Sequence, residues 1–232
     1  MNTLRKISAV LIIIGTLFAL SSCSGAPDPE ELISAELITS ESNEQFEYKI
    51  YKNFAIVTQY IGQNAKIEIP EKLGGKTVRG IGSYAFYVND TVESITIPGT
   101  VVSIGDSAFW GCTSIKIIEI PESVKVIEAN AFRNCAGLQM VKMAPEGVTK
   151  IGNDCFEFCT ALTSVDIPET VTQIGDNAFL GCIALKNITI PSGVAQIGNS
   201  AFANCPELVL KVVRNSYGNN YANENGLSFI AS

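Results

Sequence analysis

A short motif with the pattern Ile-Gly-x-x-Ala-Phe recurs along the chain and limits what it can fold into. Its phenylalanine occurs six times, at intervals of 23 or 24 residues, at Phe86, Phe109, Phe132, Phe156, Phe179 and Phe202. A fixed period in this range is typical of a solenoid, in which each repeat forms one coil that packs on its neighbours. The spacing therefore predicts an elongated repeat fold with a continuous core.

The residues between two phenylalanines predict the path of each coil. In one coil, Val165 and Ile167 alternate with polar residues, and this alternation predicts a short strand with its apolar side chains pointing inward. Pro168 ends the strand because it has no N–H to extend a ladder. Val171 and Ile174 then bury the return segment.

The turn around each phenylalanine contains two special positions. The first precedes the turn and has a side-chain oxygen in five coils, at Ser83, Asp106, Asn153, Asp176 and Asn199. We expect these side chains to act as N-caps of the turns that follow them. The second position, represented by Gly181, suits a positive φ. Phe158 replaces the usual Gly or Asn there, and we expect it to be exposed.

Both ends of the repeat array are predicted to be capped, because an end coil would otherwise expose apolar side chains and an open sheet edge. Alternating apolar residues predict a β-hairpin over residues 46–60, within an N-terminal cap of residues 46–63. The repeats then occupy residues 64–205. Residues 206–232 form a C-terminal cap, with a short helix that starts after Ser216 and a final strand.

The first 22 residues form a signal-peptide pattern, with Arg5 and Lys6 followed by an apolar run that is too short for a comfortable membrane span. Leu20-Ser21-Ser22-Cys23 resembles a bacterial lipobox, which implies that Cys23 is lipidated and anchors the chain to a membrane. The alternative is an ordinary secreted protein with a chance cysteine. Residues 23–45 are predicted to be a flexible linker, with a possible short helix from Leu32 to Ile38.

The repeats resemble the BspA-like leucine-rich repeat family of bacterial surface proteins. The resemblance rests on Ile-Gly-x-x-Ala-Phe, on the cysteine three residues later, on L-x-x-I-x-I-Pro and on V-x-x-I, and it covers residues 46–232. It implies a right-handed leucine-rich repeat solenoid with a parallel sheet on one face. It also implies adhesion and binding of host or matrix proteins, and it brings no catalytic residues.

Charge and composition exclude several classes of function. The formal net charge of −7 disfavours nucleic acid as a partner, because an acidic protein repels phosphate backbones. The chain has no histidine, which removes Ser-His-Asp and Cys-His nucleophiles and histidine-bearing metal sites. We therefore expect no enzyme activity, no cofactor and no metal site.

Five cysteines share one position of the repeat: Cys112, Cys135, Cys159, Cys182 and Cys205. Five stacked cysteines cannot all pair, and their Cβ bonds should run parallel, so we expect buried thiols that act as small apolar fillers. Cys155 stands where the other repeats have Ala. Its spacing from Cys159 does not make a metal site without a second matching pair.

The candidate binding residues are exposed side chains on two surfaces and at one turn. The turn after each phenylalanine presents Tyr87 and Trp110, and aromatic residues of this kind are typical binding anchors. The open face of the strands presents Ile117 and Met140, which are apolar at outward positions. The remaining candidates are Phe158, Glu119, Lys142 and Asp166.

These observations predict a membrane-anchored binding or adhesion protein on the bacterial outer membrane or cell surface. Its solenoid would recognise a protein or a glycan, and we expect a monomer. The alternative is a structural or assembly component of the cell envelope with no external ligand.

Overall fold

The computed structural model describes Leu32 and residues 35–232. The predicted signal peptide and Cys23 lie outside the described residues. Within that part of the chain, no helix has the length and apolar character that a bilayer crossing requires. The strands, in chain order, are β1 (Leu37–Ser42), β2 (Phe46–Tyr51), β3 (Phe54–Tyr60), β4 (Lys66–Glu68), β5 (Lys72–Leu73), β6 (Lys76–Ile81), β7 (Ser94–Thr96), β8 (Ser103–Ile104), β9 (Ile117–Ile120), β10 (Val126–Ile127), β11 (Met140–Met143), β12 (Lys150–Ile151), β13 (Ser164–Asp166), β14 (Gln173–Ile174), β15 (Asn187–Ile190), β16 (Gln196–Ile197), β17 (Val209–Val212) and β18 (Phe229–Ala231). The helix α1 covers Tyr217–Glu224.

The chain forms the predicted solenoid, and each coil contributes to two parallel ladders. The first ladder contains the predicted strands, with Val141 opposite Val165. The second ladder contains the return segments, with Ile151 opposite Ile174. The second ladder was not predicted, because strands of two residues are too short to show an alternation of apolar and polar side chains. It joins β6, β8, β10, β12, β14 and β16 into the largest sheet of the described chain.

The first ladder is interrupted at two places. Its hydrogen-bonded groups are β4-β7, β9-β11-β13 and β15-β17-β18. Consecutive coils remain joined at each interruption by the second ladder, where β8 pairs with β10 and β14 pairs with β16. The interruption between β7 and β9 therefore opens only one side of the solenoid.

The six motif phenylalanines form one stacked column inside the solenoid. All six are at most 2% exposed, and neighbouring ring centroids are 4.8 to 5.4 Å apart with interplanar angles of 2 to 14°. Tyr60 stacks on Phe86 at one end, and Tyr221 meets Phe202 edge-on at the other. The column confirms the continuous core, and the two tyrosines close it against solvent.

The N-terminal cap has one strand more than predicted. The hairpin of β2 and β3 forms over residues 46–60 as predicted, and β1 adds to its edge as an antiparallel strand. The prediction of a flexible linker through residue 45 is therefore wrong at its C-terminal end. The predicted short helix is also wrong at Leu37 and Ile38, which belong to β1. The sequence concealed β1 because this strand is almost entirely exposed and has no apolar face.

Polar residues before the phenylalanine turns, such as Asn153 and Asp176, link neighbouring coils and do not cap a helix. The amide of Asp176 donates to Oδ1 of Asn153 in the preceding coil (3.0 Å), and the amide of Asn199 donates to Oδ1 of Asp176 (2.6 Å). The predicted N-cap role is wrong, because the turns never become helical. The residue after this position has a left-handed backbone in every coil, at Tyr84, Ser107, Asn130, Asp154, Asn177 and Ser200.

The C-terminal cap agrees with the prediction. The hydroxyl of Ser216 accepts from the amide of Asn219 at the start of α1, and Gly226 has a φ of 63° just after the helix. Strand β18 then pairs in parallel with β17. Tyr221 in α1 packs on the phenylalanine column and donates its hydroxyl to the carbonyl of Gly198 (3.2 Å). The cap thus covers the last coil with both a helix and a strand.

The cysteine column consists of free thiols, as predicted. Each sulfur donates to the carbonyl oxygen of the phenylalanine in the preceding coil, at 3.0 or 3.1 Å, as in Cys112 to Phe86 and Cys182 to Phe156. The cysteines therefore fill space and also satisfy a buried backbone acceptor once per coil. Burial raises the pKa of the Cys159 thiol well above its ordinary value.

Candidate functional site

The structure gathers most of the predicted binding residues on two surfaces. The turn surface consists of Tyr84, Tyr87, Val88 and Trp110, at the turns that carry the phenylalanine motif in the first two coils. The ladder surface lies on the first ladder and consists of Ile117, Glu119, Met140, Lys142 and Asp166. Phe158 belongs to neither surface, because it lies at a turn two coils beyond Trp110.

The turn surface is a contiguous aromatic patch. Tyr87 is 50% exposed, and its ring centroid lies 5.9 Å from that of Trp110 at an angle of 66°. The prediction that these two residues lie one rung apart is confirmed. Edge-to-face pairs of this kind are favourable between aromatic rings, so the half-buried Trp110 stabilises the exposed ring of Tyr87.

Tyr84 extends the patch and was missed by the sequence analysis. It is 55% exposed, and its ring lies edge-on to that of Tyr87, 5.5 Å away. One signal for Tyr84 was available in the sequence. The equivalent position in the other five coils holds only polar residues: Ser107, Asn130, Asp154, Asn177 and Ser200.

A groove runs beside the turn surface at the N-terminal end of the solenoid. It has a volume of about 470 Å³ and is lined by the end of β3, by Tyr84 to Val88 and by Asn89 and Asp90. Oδ1 of Asn89 accepts from the amides of Thr91 and Val92, which fixes this wall. The groove therefore combines aromatic and apolar walls with one carboxylate.

The row of residues that contains Tyr87 and Trp110 continues with an ion pair. The guanidinium carbon of Arg133 lies 4.9 Å from the Trp110 ring centroid, in the range of cation–π contacts. Nη1 of Arg133 also lies 3.0 Å from Oε2 of Glu157. Burial raises the pKa of the Glu157 carboxyl, and the nearby Arg133 opposes this rise only in part. The ion pair holds Arg133 over the ring and thereby fixes Trp110.

The ladder surface brings its five residues together on β9, β11 and β13. Met140 lies opposite Ile117, and Lys142 lies opposite both Glu119 and Asp166 in register. Nζ of Lys142 and Oε1 of Glu119 are 2.9 Å apart, and both side chains are exposed. Ile117 is 46% exposed. The surface is thus a small apolar pair beside a row of alternating charges.

An open cleft adjoins the ladder surface at the first interruption of the ladder. It has a volume of about 670 Å³ and lies between the strands β7 and β9, with Thr96, Ile97, Ile117 and Glu119 among its lining residues. Ile97 beside β7 is 7% exposed, whereas its equivalent Ile120 on β9 is 2% exposed. The unpaired strand edges explain the cleft.

Phe158 is exposed as predicted, at 42%. It has a φ of 56°, in a region that bulky side chains rarely adopt. Val88 is the equivalent residue of the first coil, with a φ of 54°. These two positions keep apolar side chains where Gly or Asn would cause less strain.

The described residues contain no group of three or more His, Cys, Asp or Glu side chains placed to hold a metal ion. The arrangement of both surfaces suits contact with a partner, since rigid coils present aromatic, apolar and paired charged groups. It contains no nucleophile beside a base in the described part of the chain.

A comparison with protein families identifies the repeats. Residues 79–209 match the family described as BspA type Leucine rich repeat region, in six copies. No curated protein matches the chain significantly.

Solved structures with the same architecture come from several bacteria. A T. pallidum Leucine Rich Repeat protein is similar with a TM-score of 0.71 and 26% identity, over 84% of this chain and 98% of that one. A leucine rich cell surface protein from Faecalibacterium prausnitzii is similar with a TM-score of 0.56 and 31% identity, over 75% of this chain and 55% of that one. This chain therefore spans only about half the length of the F. prausnitzii protein. Neither the family match nor these structures indicate a catalytic family.

Proposed function

Because the chain belongs to the BspA-type leucine-rich repeat family, we propose that it is an exported, lipid-anchored binding protein of the bacterial cell surface that acts in adhesion. The lipobox-like sequence that ends at Cys23 supports the anchor. The similar F. prausnitzii structure is of a protein described as a cell surface protein. The same proposal holds that the chain is not an enzyme, since its exposed features are contact surfaces.

The contact surface for the partner is the turn surface, and one observation carries this assignment. Tyr84, Tyr87 and Trp110 form a continuous aromatic patch with ring centroids 5.5 and 5.9 Å apart, in which the two tyrosines are exposed and Trp110 is half-buried. Aromatic side chains of this kind dominate the binding energy of many protein interfaces, because they bury a large area and lose little conformational entropy.

The backbone supports the same assignment. Val88 has a φ of 54°, and a left-handed backbone costs about 1–2 kcal/mol for a residue with a side chain. Such strain is often kept at functional sites. Coils that hold Gly111 or Gly181 at this position avoid the cost. The first coil thus keeps the exposed apolar side chain of Val88 at a cost in stability, as expected of a contact surface.

The partner is a protein of the host or of the surrounding matrix, and the test is an array of purified matrix proteins and glycans. We expect the wild-type chain to bind a protein on the array, and Tyr84→Ala and Trp110→Ala to weaken that binding at least about tenfold each, as for interface anchors. Tyr217→Ala is the matched control, because Tyr217 is 44% exposed at the opposite end. Unaltered binding by both turn-surface variants, with melting curves like the wild type, would refute the site.

Export and anchoring are tested separately. We expect labelled fatty acid to be incorporated into the wild-type chain and not into Cys23→Ser. Proteases added to intact cells should release peptides from residues 46–232. Complete protection of these residues would favour the alternative of an envelope component with no external ligand.

A further inference from the structure

The outer face of the second ladder has an apolar residue with a basic residue on either side. We call Arg79, Val102, Lys125 and Lys150 the return face. Val102 lies one rung after Arg79 and one rung before Lys125, since its amide donates to the carbonyl of Arg79 (2.8 Å) and its carbonyl accepts from Lys125 (2.9 Å). Lys150 is opposite Val126 on the next rung.

Leu32 covers Val102, the apolar residue of the return face. It is only 9% exposed, and it clusters with Phe54 and Val102, which are also buried. The second ladder has the strand order β1-β2-β3-β6-β8-β10-β12. Leu32 therefore lies several strands away from the edge strand β1, at the rung of Val102 and one rung from Lys125.

The segment before Leu32 and the return face carry opposite charges. Residues 28–31 are Asp-Pro-Glu-Glu, which places three carboxylates directly before Leu32. Arg79, Lys125 and Lys150 form no ion pair with any described residue. Instead, Nη1 of Arg79 donates to the carbonyl of Thr100, and Nζ of Lys125 donates to the carbonyls of Glu122 and Glu146. The three cations of the return face are therefore available to carboxylates from the segment before Leu32, in a chain of net charge −7.

We propose that residues 28–31 dock across the return face, with their carboxylates against Lys125 and Lys150, and so extend the contact that Leu32 begins. The occupant of the return face is then the chain's own acidic segment. Opposite charges at this site attract in the geometry that Leu32 already fixes, so little additional conformational entropy is lost.

Docking restricts the orientation of the solenoid relative to a membrane, and this consequence rests on the lipidation proposed above. Only residues 24–27 would remain free between Cys23 and the docked segment, and four extended residues span at most about 14 Å. The return face is then held near the bilayer. The solenoid then cannot swing freely on a long linker.

Hydrogen exchange of the amides in residues 28–34 tests the docking. The sample is residues 23–232 with Cys23→Ser, which contains every described residue and removes lipidation from the measurement. We expect these amides to be protected, and Lys125→Glu with Lys150→Glu to speed their exchange roughly fivefold, as the loss of two exposed ion pairs predicts. Lys66→Glu with Lys211→Glu is the matched control, since it changes the net charge equally on the first ladder. Adding Glu30→Lys and Glu31→Lys to the return-face variant should restore protection.

Two results would overturn the proposal. The first is exchange of residues 28–34 at the unprotected rate in the wild type, or an equal effect of the return-face and control variants. The second is free exchange of the segment together with binding to phosphatidylserine vesicles that depends on Lys125 and Lys150, which would make the return face a membrane contact. If fatty-acid labelling at Cys23 fails, the hydrogen-exchange results keep the same meaning, because the sample carries Cys23→Ser and is not lipidated.

Discussion

The ring of Phe158 covers the α-carbon of Gly181 in the next coil, so closely that a β-carbon built at Gly181 would lie 2.6 Å from Cδ1 of Phe158. Val88 lies over Gly111 in the same way, with a corresponding distance of 3.5 Å to the Val88 α-carbon and to its Cγ2. A bulky residue in one coil is thus accommodated by a glycine in the next, and this pairing explains how Phe158 fits at a turn that usually holds Gly or Asn.

The first prediction concerns Gly181→Ala. Gly181 has a φ of 73°, and the substitution should lower the free energy of unfolding by at least about 1–2 kcal/mol because alanine disfavours this backbone. Crowding against Phe158 adds to the loss, and Phe158→Ala should relieve only that part. Gly99→Ala is the control, since no atom lies within 4 Å of a β-carbon there. Urea unfolding measures the stability of the Gly181, Phe158 and Gly99 variants. Equal losses for Gly99→Ala and Gly181→Ala would contradict the pairing of Phe158 with Gly181.

The second prediction compares two neighbouring phenylalanines. Phe156 is fully buried in the aromatic column, and Phe156→Ala should cost about 3–5 kcal/mol, as large-to-small changes in a core do. Phe158→Asn should be neutral or stabilising, because Asn tolerates a left-handed backbone and the Phe158 ring is exposed. Thermal melts measure the stability of both variants. An unchanged melting temperature for Phe156→Ala would show that the phenylalanine column does not stabilise the fold.

The third prediction concerns the order in which the cysteines react. Cys205 is half-buried, whereas Cys155 and Cys159 are fully buried, and burial raises the pKa of both buried thiols. Thiolate is the reactive form. A thiol reagent at pH 8 should therefore label Cys205 first in a Cys23→Ser chain, and Cys155 and Cys159 only after unfolding. Peptide mass spectrometry reads the order, and simultaneous labelling in the native state would rule out the buried column.

The fourth prediction concerns pH. Burial raises the pKa of Glu157 above its ordinary value of 4.5, so the folded chain binds a proton there more readily than the unfolded chain. The destabilisation from this group is fully present above the raised pKa and is relieved as the pH falls toward 4.5. The stability of the wild type relative to Glu157→Gln should therefore rise between pH 7 and pH 4.5.

Arg133→Gln provides the control for this pH effect. Arg133 lowers the pKa of Glu157, and its removal should strengthen the pH dependence of the wild-type carboxyl. Unfolding followed by circular dichroism across the pH range measures both variants. If the wild type instead loses stability relative to Glu157→Gln on acidification, the raised pKa of Glu157 is contradicted.

The parts of the fold that repeat were predictable, and the parts that occur once were not. The six phenylalanines and the strands around Val165 were correctly assigned from spacing, because each coil meets the same environment. Strand β1 was missed because its exposed side chains carry no pattern. The coil-to-coil bond from Asp176 to Asn153 was taken for an N-cap, since a polar residue before a turn looks the same in either role.

The candidate site was predicted in outline. Trp110 and Tyr87 could be placed one rung apart from the period alone, and Ile117 and Met140 from strand alternation. Tyr84 was overlooked because it sits at a position that is polar elsewhere. The cleft beside Ile117 depends on where the first ladder loses its pairing, which no single repeat encodes.

Periodic spacing of inward-facing residues fixed the solenoid, its caps and its phenylalanine column, because apolar burial in stacked coils depends only on a pattern that each repeat carries. Packing between coils decided which exposed side chains touch, where the ladder opens and that Leu32 lies on Val102. Those contacts join residues about one repeat or more apart, and their geometry depends on backbone twist and side-chain shape that become defined only when the coils are stacked.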